Sequence, residues 1–227
     1  MIGTIVNTAC ICAGSIAGSF LHRGLNEKYS DALYTAMGLA AAGLGINTIV
    51  KYMPQSEYPV LFIVSLALGI LIGTALDIDG RFNRFISGKS GGSNLAQGLG
   101  TGIMLYCIGA LSILGPIQSA LYGDNTYLFT NSTLDLITSA VLASTYGTGM
   151  LAAAPVLFCW QGGIYLLTLW LGNFMSDALM AEISVVGGFM IAASGLSILK
   201  IGNFKTMNML PALLVPPAWF VIIHFVN

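Results

Sequence analysis

The chain has 227 residues, 56% of them hydrophobic and only 7% charged, with a mean hydropathy of +0.84. A soluble domain carries roughly 25% charged residues, so a water-soluble fold is excluded. A net charge of -1 without a basic tract removes nucleic acid from the expected partners and leaves the lipid bilayer and small solutes.

Apolar runs predict membrane helices near 2–22, 32–51, 58–77, 97–119, 150–172, 181–200 and 207–226, because a helix satisfies its own backbone groups in lipid. They occupy nearly the whole chain, so the expected fold is all-α: one transmembrane domain over 1–227, a polytopic bundle of seven or eight spans. The first run lacks preceding basic residues and a clear cleavage region, and so reads as a retained span rather than a signal peptide. The run STLDLITSAVLASTYG at 132–147 covers only about 24 Å at a rise of about 1.5 Å per residue, short of a roughly 30 Å bilayer core. It is either re-entrant or a true span extended upstream through Tyr127, Leu128 and Phe129. Cys10, Cys12, Cys107 and Cys159 sit singly in these runs without Cys-x-x-Cys spacing, which implies neither a disulfide framework nor a metal centre. No cofactor is expected.

The basic residues order the crossings. Arg23 and Lys28 follow the first run, Arg81, Arg84 and Lys89 the third, and Lys200 and Lys205 the run at 181–200, while none lies between Lys89 and Lys200. Cytoplasmic placement of all three clusters requires an odd extra crossing, which 132–147 supplies. The favoured arrangement has eight crossings with both termini outside; seven spans plus a re-entrant hairpin is the alternative.

Two segment pairs resemble each other. GIMLYCIGALSIL (102–114) aligns without gaps to GGFMIAASGLSIL (187–199), and Val-Leu-Phe recurs at 60–62 and 156–158. With eight crossings the copies run in opposite directions, the pattern of inverted-repeat transporters with broken helices and a midplane site; chance similarity among Leu, Ile, Gly and Ser is the competing reading. Gly14-x-x-x-Gly18, Gly69-x-x-x-Gly73 and Gly98-x-x-x-Gly102 allow close helix packing, within one subunit or between two in a homo-oligomer.

The stretch GALSILGPIQSALYGD (109–124) places a Gly-Pro pair and several polar groups in an apolar span. Pro116 lacks an N–H and disfavours helical geometry at Gly115, so the span is expected to kink or end there and free carbonyls for a solute cavity. Ser112, Gln118 and Ser119 lie beside the break, and the Gly147-Thr148-Gly149 turn opens the next span with N–H groups suited to an anionic group. The bland alternative is a span end with a polar outer mouth. Ser132-x-x-Asp135 matches a capping box, which would make Asp135 a helix cap; Ser139 one turn on instead points to a water-lined, ion-coupling face. Glu182 reads either as an N-terminal cap of its helix or as a second coupling carboxylate. Gln161 falls mid-span and must face the protein interior. Asn208 and Asn47 are candidates for interhelical hydrogen bonds.

No Gly-x-Ser-x-Gly or His-Glu-x-x-His motif occurs, and Leu-Tyr-Gly-Asp at 121–124 lacks the first glycine of an intramembrane aspartyl protease motif, so an enzyme is not expected. On GALSILGPIQSALYGD, the STLD segment, APVLFCWQGGIYLL, EISVVGGFMIAASGLSIL and NMLPALL, the sequence resembles the YdfK/YqgA-like family of bacterial membrane proteins, a domain of unknown function. The resemblance implies a bacterial inner-membrane location and a transport role without naming a substrate. It departs from the family pattern at Leu136, where a glycine usually follows the aspartate and would allow tight backbone approach. The expected function is a secondary transporter or facilitator of a small polar or anionic solute, coupled to protons or sodium; a channel or pore, and a non-transporting membrane scaffold, are the alternatives.

Overall fold

The computed structural model describes residues 1–20, 27–81, 84, 99, 102, 103, 105–107, 109–172 and 176–226. Regular structure among them is entirely helical. Five helices are long and apolar enough to cross a membrane, covering Ile2–Ser19, Asp31–Gln55, Thr148–Leu171, Asp177–Ile198 and Thr206–Ile223, and two shorter apolar ones cover Leu61–Ala75 and Ala110–Tyr122. The chain divides into two compact units, each built from separated stretches: residues 1–34 with 84–172, and 35–83 with 173–227. The end of the predicted run at 97 and the basic residues Arg23 and Lys89 lie outside the described residues.

In the first unit α1 (Ile2–Ser19) runs parallel to α5 (Thr126–Tyr146). The direction follows from paired close approaches. A Cβ on Gly3 would strike the Leu128 side chain at 2.6 Å, one on Gly14 would overlap the Leu136 carbonyl, and one on Gly18 would overlap the Ala140 carbonyl. Glycine at these positions lets two backbones touch, the way membrane helices gain packing where lipid gives no hydrophobic drive. The tight approach to Leu136 is therefore made by the glycine of the partner helix, and a bulky side chain on α5 does not prevent it.

Helix α5 takes the second of its two expected forms, extending upstream of 132 through Tyr127, Leu128 and Phe129. Its 21 residues span about 32 Å, enough for a hydrocarbon core. Gly123, at φ 67°, turns the chain, and the Asp124 carboxylate accepts the Thr126 N–H at 2.9 Å to start the helix. Its hydroxyls are then hidden within it. Thr130 donates to the Thr126 carbonyl, Ser132 to Leu128 and Thr133 to Phe129, so a segment that reads as polar costs little to bury.

The preceding α4 (Ala110–Tyr122) packs antiparallel on α5, with the Gly115 position against Leu128. Here the expected break is corrected. Pro116 lies inside α4, and the chain is extended at Gly109 (φ -61°, ψ 142°), seven residues earlier. The missing proline N–H removes one helical bond without stopping a helix held by its neighbours, and Gly115 serves close packing on Leu128. After α5, Gly147 (φ 81°) ends the helix, a 3₁₀ turn covers Thr148–Ala152, and α6 follows over Ala153–Leu171. Ile11, Tyr106, Cys107, Leu142, Met150 and Leu157 form the apolar core of this unit.

In the second unit α2 (Glu27–Tyr52, of which Thr35 onward belongs here) runs antiparallel to α7 (Asp177–Ile198) along a reciprocal small-residue seam. Gly38 meets Leu199 and Gly195, Gly45 meets Ala192 and Gly188, and Gly195 in turn meets Ala42. The shorter α3 (Leu61–Ala75) packs antiparallel against a nine-residue 3₁₀ segment, Thr206–Leu214, with Gly69 on Ala212 and Gly73 on the Asn208 backbone. That 3₁₀ stretch is long for its kind; it contains Pro211 and leads into α8 (Val215–Val226). Phe62 stacks on Phe189 with centroids 4.9 Å apart.

The segments aligned as a repeat differ in local form. Residues 187–198 lie in the uninterrupted α7, whereas 102–114 is broken at Gly109. Val60 caps α3, while Val156 lies within α6.

Candidate functional site

The first unit concentrates buried polar side chains along the α1–α5 seam. Thr4, Asn7 and Ser15 of α1, and Asn131, Asp135 and Ser139 of α5, are all buried. Spacings of three and four residues put Thr4, Asn7, Ile11, Gly14 and Gly18 on one face of α1, and that face is the one pressed on α5.

Asp135 is 4% exposed and sits ten residues into α5, two and a half turns beyond its start. The capping-box reading is thereby overturned: Ser132 donates back to Leu128, and at the actual helix start the Asp124 carboxylate accepts the Thr126 N–H. Asn131, one turn earlier, donates its Nδ2 to Asp135 Oδ2 at 2.8 Å. Asn7 faces the same carboxylate from α1, yet neither its Nδ2 nor its Oδ1 completes a hydrogen bond. Thr4 Oγ1 and Ser15 Oγ are likewise buried and unpartnered. No basic side chain pairs with Asp135 among the described residues. Cys10, Tyr106 and Cys107 lie within electrostatic reach of it, and Ser139 Oγ donates to the Tyr106 hydroxyl at 2.9 Å.

The register of α4 on α5 fixes what else is near. With Gly115 opposite Leu128, Ser119 bonded to Asn125 and Tyr106 bonded to Ser139, the extended Gly109 falls level with about residue 135. The first free N–H groups of α4, the positive end of its dipole, thus start at the depth of the carboxylate. A chain break and a buried acid share one level of the first unit.

The remaining expected site residues separate into groups. Gln161 Nε2 donates to Ser112 Oγ at 3.0 Å, both fully buried, and Gln161 Oε1 is without a partner. Gln118 and Ser119 are buried at the other end of α4, where Ser119 donates to Asn125 Oδ1. Asn125 precedes Asp135 by ten residues, about 15 Å along α5, so Gln118 and Ser119 do not join the Asp135–Ser139 group. Gly115 and Pro116 are buried packing positions within α4. Gly147, which ends α5, lies twelve residues past Asp135, about 18 Å along the axis, and Gly149 follows it in the 3₁₀ turn.

Glu182, in the second unit, is 1% exposed and does not cap its own helix. Ser176 does so, accepting the Leu179 N–H, while Glu182 Oε1 accepts the Ser56 hydroxyl at 2.7 Å and the Tyr58 N–H at 2.8 Å. It ties down the turn before α3, which also holds Tyr58 edge-on to Trp219 and Phe220. Asn208 Oδ1 accepts the Asp79 N–H at 2.9 Å, a link beyond the 3₁₀ segment. Asn47 is exposed.

Asn7, Thr4, Ser15, Tyr106 and Asn131 were not among the expected site residues. The signal for the first three was the run of polar residues on the glycine-bearing face of α1; Asn131 was masked by a span drawn from 132.

The family model for a protein of unknown function, DUF554, matches residues 2–221. The chain is 54% identical to the uncharacterized membrane protein YdfK of Bacillus subtilis (strain 168), over 99% of this chain and 97% of the relative. It is 28% identical to the uncharacterized protein YqgA of Escherichia coli (strain K12), over 97% and 99% respectively. No solved structure matches. With apolar helices throughout and a family match over almost its full length, this membrane protein belongs to the DUF554 family.

Proposed function

We propose that the protein is a secondary transporter or facilitator, not an enzyme, that moves a small polar or anionic solute across the bacterial inner membrane and is driven through Asp135. The observation that carries this reading is a buried carboxylate without a basic partner among the described residues, level with a break in the adjoining helix. An ionisable group at membrane depth is costly and is characteristic of ion and substrate pathways, and interrupted helices form the sites of many carriers. The 3₁₀ segments at Thr148–Ala152 and Thr206–Leu214 add two further interruptions of the same kind.

Helix directions within each unit support eight crossings with both termini on one side, the outer one by the placement of the basic residues. The first and fifth segments are parallel, the second and seventh antiparallel, and the third and eighth antiparallel, as a chain crossing at every segment requires. A re-entrant α5 would make α2 and α7 parallel. Eight crossings also set 102–114 and 187–199 in opposite directions, which an inverted repeat needs.

Proteoliposome flux tests the reading. Saturable counterflow of a solute drawn from an amino-acid, organic-acid and nucleobase panel is expected, and Asp135→Asn should abolish gradient-driven uptake while the protein remains folded. Silence across the panel, or full uptake by Asp135→Asn, would remove it.

A further inference from the structure

We propose that Asp135, Asn7 and Asn131, with Thr4 one turn before Asn7 on the same face of α1, bind one monovalent alkali cation, and that sodium is the ion driving the transport described above. The inference deepens that reading and rests on it for the word "driving", although binding itself does not.

The donor set is chemically one-sided. Asp135 offers carboxylate oxygens, Asn7 and Asn131 amide oxygens, and Thr4, one turn before Asn7 on the same face, a hydroxyl. Oxygen donors of this kind suit hard cations and not soft transition metals. The charge selects among the hard ones. One carboxylate supplies one negative charge, and no group of three or more His, Cys, Asp or Glu side chains occurs among the described residues. A divalent ion would keep an uncompensated charge at membrane depth, which is costly, whereas a monovalent ion leaves the site neutral.

The unpartnered atoms argue against a proton alone. Thr4 Oγ1, Asn7 Oδ1 and Asn7 Nδ2 are buried without hydrogen bonds, and each such group costs free energy. A proton on Asp135 would add a single donor and satisfy one of them. A cation seated between α1 and α5 engages several oxygens at once and lets the Asn7 Nδ2 turn to the carboxylate. The walls are already held in place, because Gly14 and Gly18, about two and three turns beyond Asn7, bring the two backbones into contact at Leu136 and Ala140. Pre-set ligands lower the ordering cost of binding.

The test is thermal unfolding of the purified full chain at constant pH and ionic strength, with sodium chloride titrated against choline chloride and, separately, against potassium chloride. A ligand that binds only the folded state raises the apparent Tm saturably. Sodium is expected to raise it by several degrees over choline, Asp135→Asn to lose the rise, and Asn7→Ala to move its midpoint at least ten-fold to higher sodium. Should Asp135→Asn not fold, Asn7→Ala and Asn131→Ala carry the comparison. Equal Tm in sodium, potassium and choline, with a response to pH alone, would overturn the site in favour of a proton; a wild-type midpoint in both asparagine variants would overturn the assigned ligands. Sodium binding without solute flux would remove the transport reading and keep the site, and flux indifferent to sodium would remove sodium as the driving ion and keep the transport reading.

Discussion

The two units use the same device for different ends. Each contains a pair of long helices brought into backbone contact by glycines, Gly14 and Gly18 on α5 in one and Gly38 and Gly45 on α7 in the other. The second seam is apolar or internally satisfied: Thr48 and Ser194 return their hydroxyls to Leu44 and Met190 of their own helices. The first seam carries Thr4, Asn7 and Ser15 without partners beside a buried aspartate. Close packing by itself is therefore structural, and the polar load on one of two similar seams is what marks a site.

The largest expected effect breaks both seams alike. Gly14→Val and Gly45→Val each drive a side chain into a facing backbone, at the Leu136 carbonyl and at Ala192 respectively. A helix cannot yield there as a flexible side chain would, so the cost should exceed the roughly 1–3 kcal/mol usual for overpacking. Size-exclusion profiles should show loss of the monodisperse folded species in both variants. Survival of either would mean that its seam opens more easily than the close approach implies.

The two buried carboxylates sharpen the contrast. Asp135 is met by amides alone, while Glu182 is met by a hydroxyl and a backbone N–H at a turn. Glu182→Gln keeps an acceptor but loses charge assistance, so it should lower stability by about 1–2 kcal/mol and leave flux near wild type. Asp135→Asn should reverse the pattern, with flux reduced at least ten-fold and stability nearly kept. Measuring uptake and unfolding on the same preparations checks both, and a flux loss confined to Glu182→Gln would move the functional carboxylate to the second unit.

Much of this contrast was legible in the sequence, but unevenly. The membrane class and the helical fold followed from hydropathy, because length and apolar content alone set them, and five of the helices are long and apolar enough to cross a membrane. The sequence leaves the start of α5 open between 132 and an extension through Tyr127, since Thr130, Ser132 and Thr133 look polar to a hydropathy window yet spend their hydroxyls on their own helix. Asp135 and Ser139 were found as polar residues in an apolar setting. Asn7 was missed because its importance comes from a helix over a hundred residues away in sequence, and the Ser132–Asp135 cap was misread because the capping pattern is local while the helix starts at Thr126.

A smaller effect is expected where the first seam meets the segment before Gly109. Ser139 Oγ donates to the Tyr106 hydroxyl in the interior, so Tyr106→Phe should cost about 1 kcal/mol, in the range of hydrogen bonds between membrane helices. Because the ring still fills the core beside Leu142 and Met150, the protein should fold normally. A double-mutant cycle with Ser139→Ala reads the coupling, and zero coupling would show that the bond does not hold that segment against α5.

The smallest effect is expected at Pro116, the residue that most resembles a functional break in the sequence. Helix α4 runs through it, and the extended residue is Gly109. Pro116→Ala restores an N–H that can reach the Ser112 carbonyl one turn earlier, and alanine favours a helix interior. Against this, a proline removes freedom from the unfolded chain, and the two contributions oppose each other. Unfolding should therefore shift by less than about 1 kcal/mol, with the Ser112–Gln161 bond kept and flux unchanged. Gly109→Pro is the informative contrast: φ -61° suits a proline, but the ring forces residue 108 toward extended geometry and stiffens the break at the level of Asp135. Slowed flux in Gly109→Pro with normal flux in Pro116→Ala would assign the working discontinuity to Gly109; the opposite ranking would return it to the Gly-Pro pair.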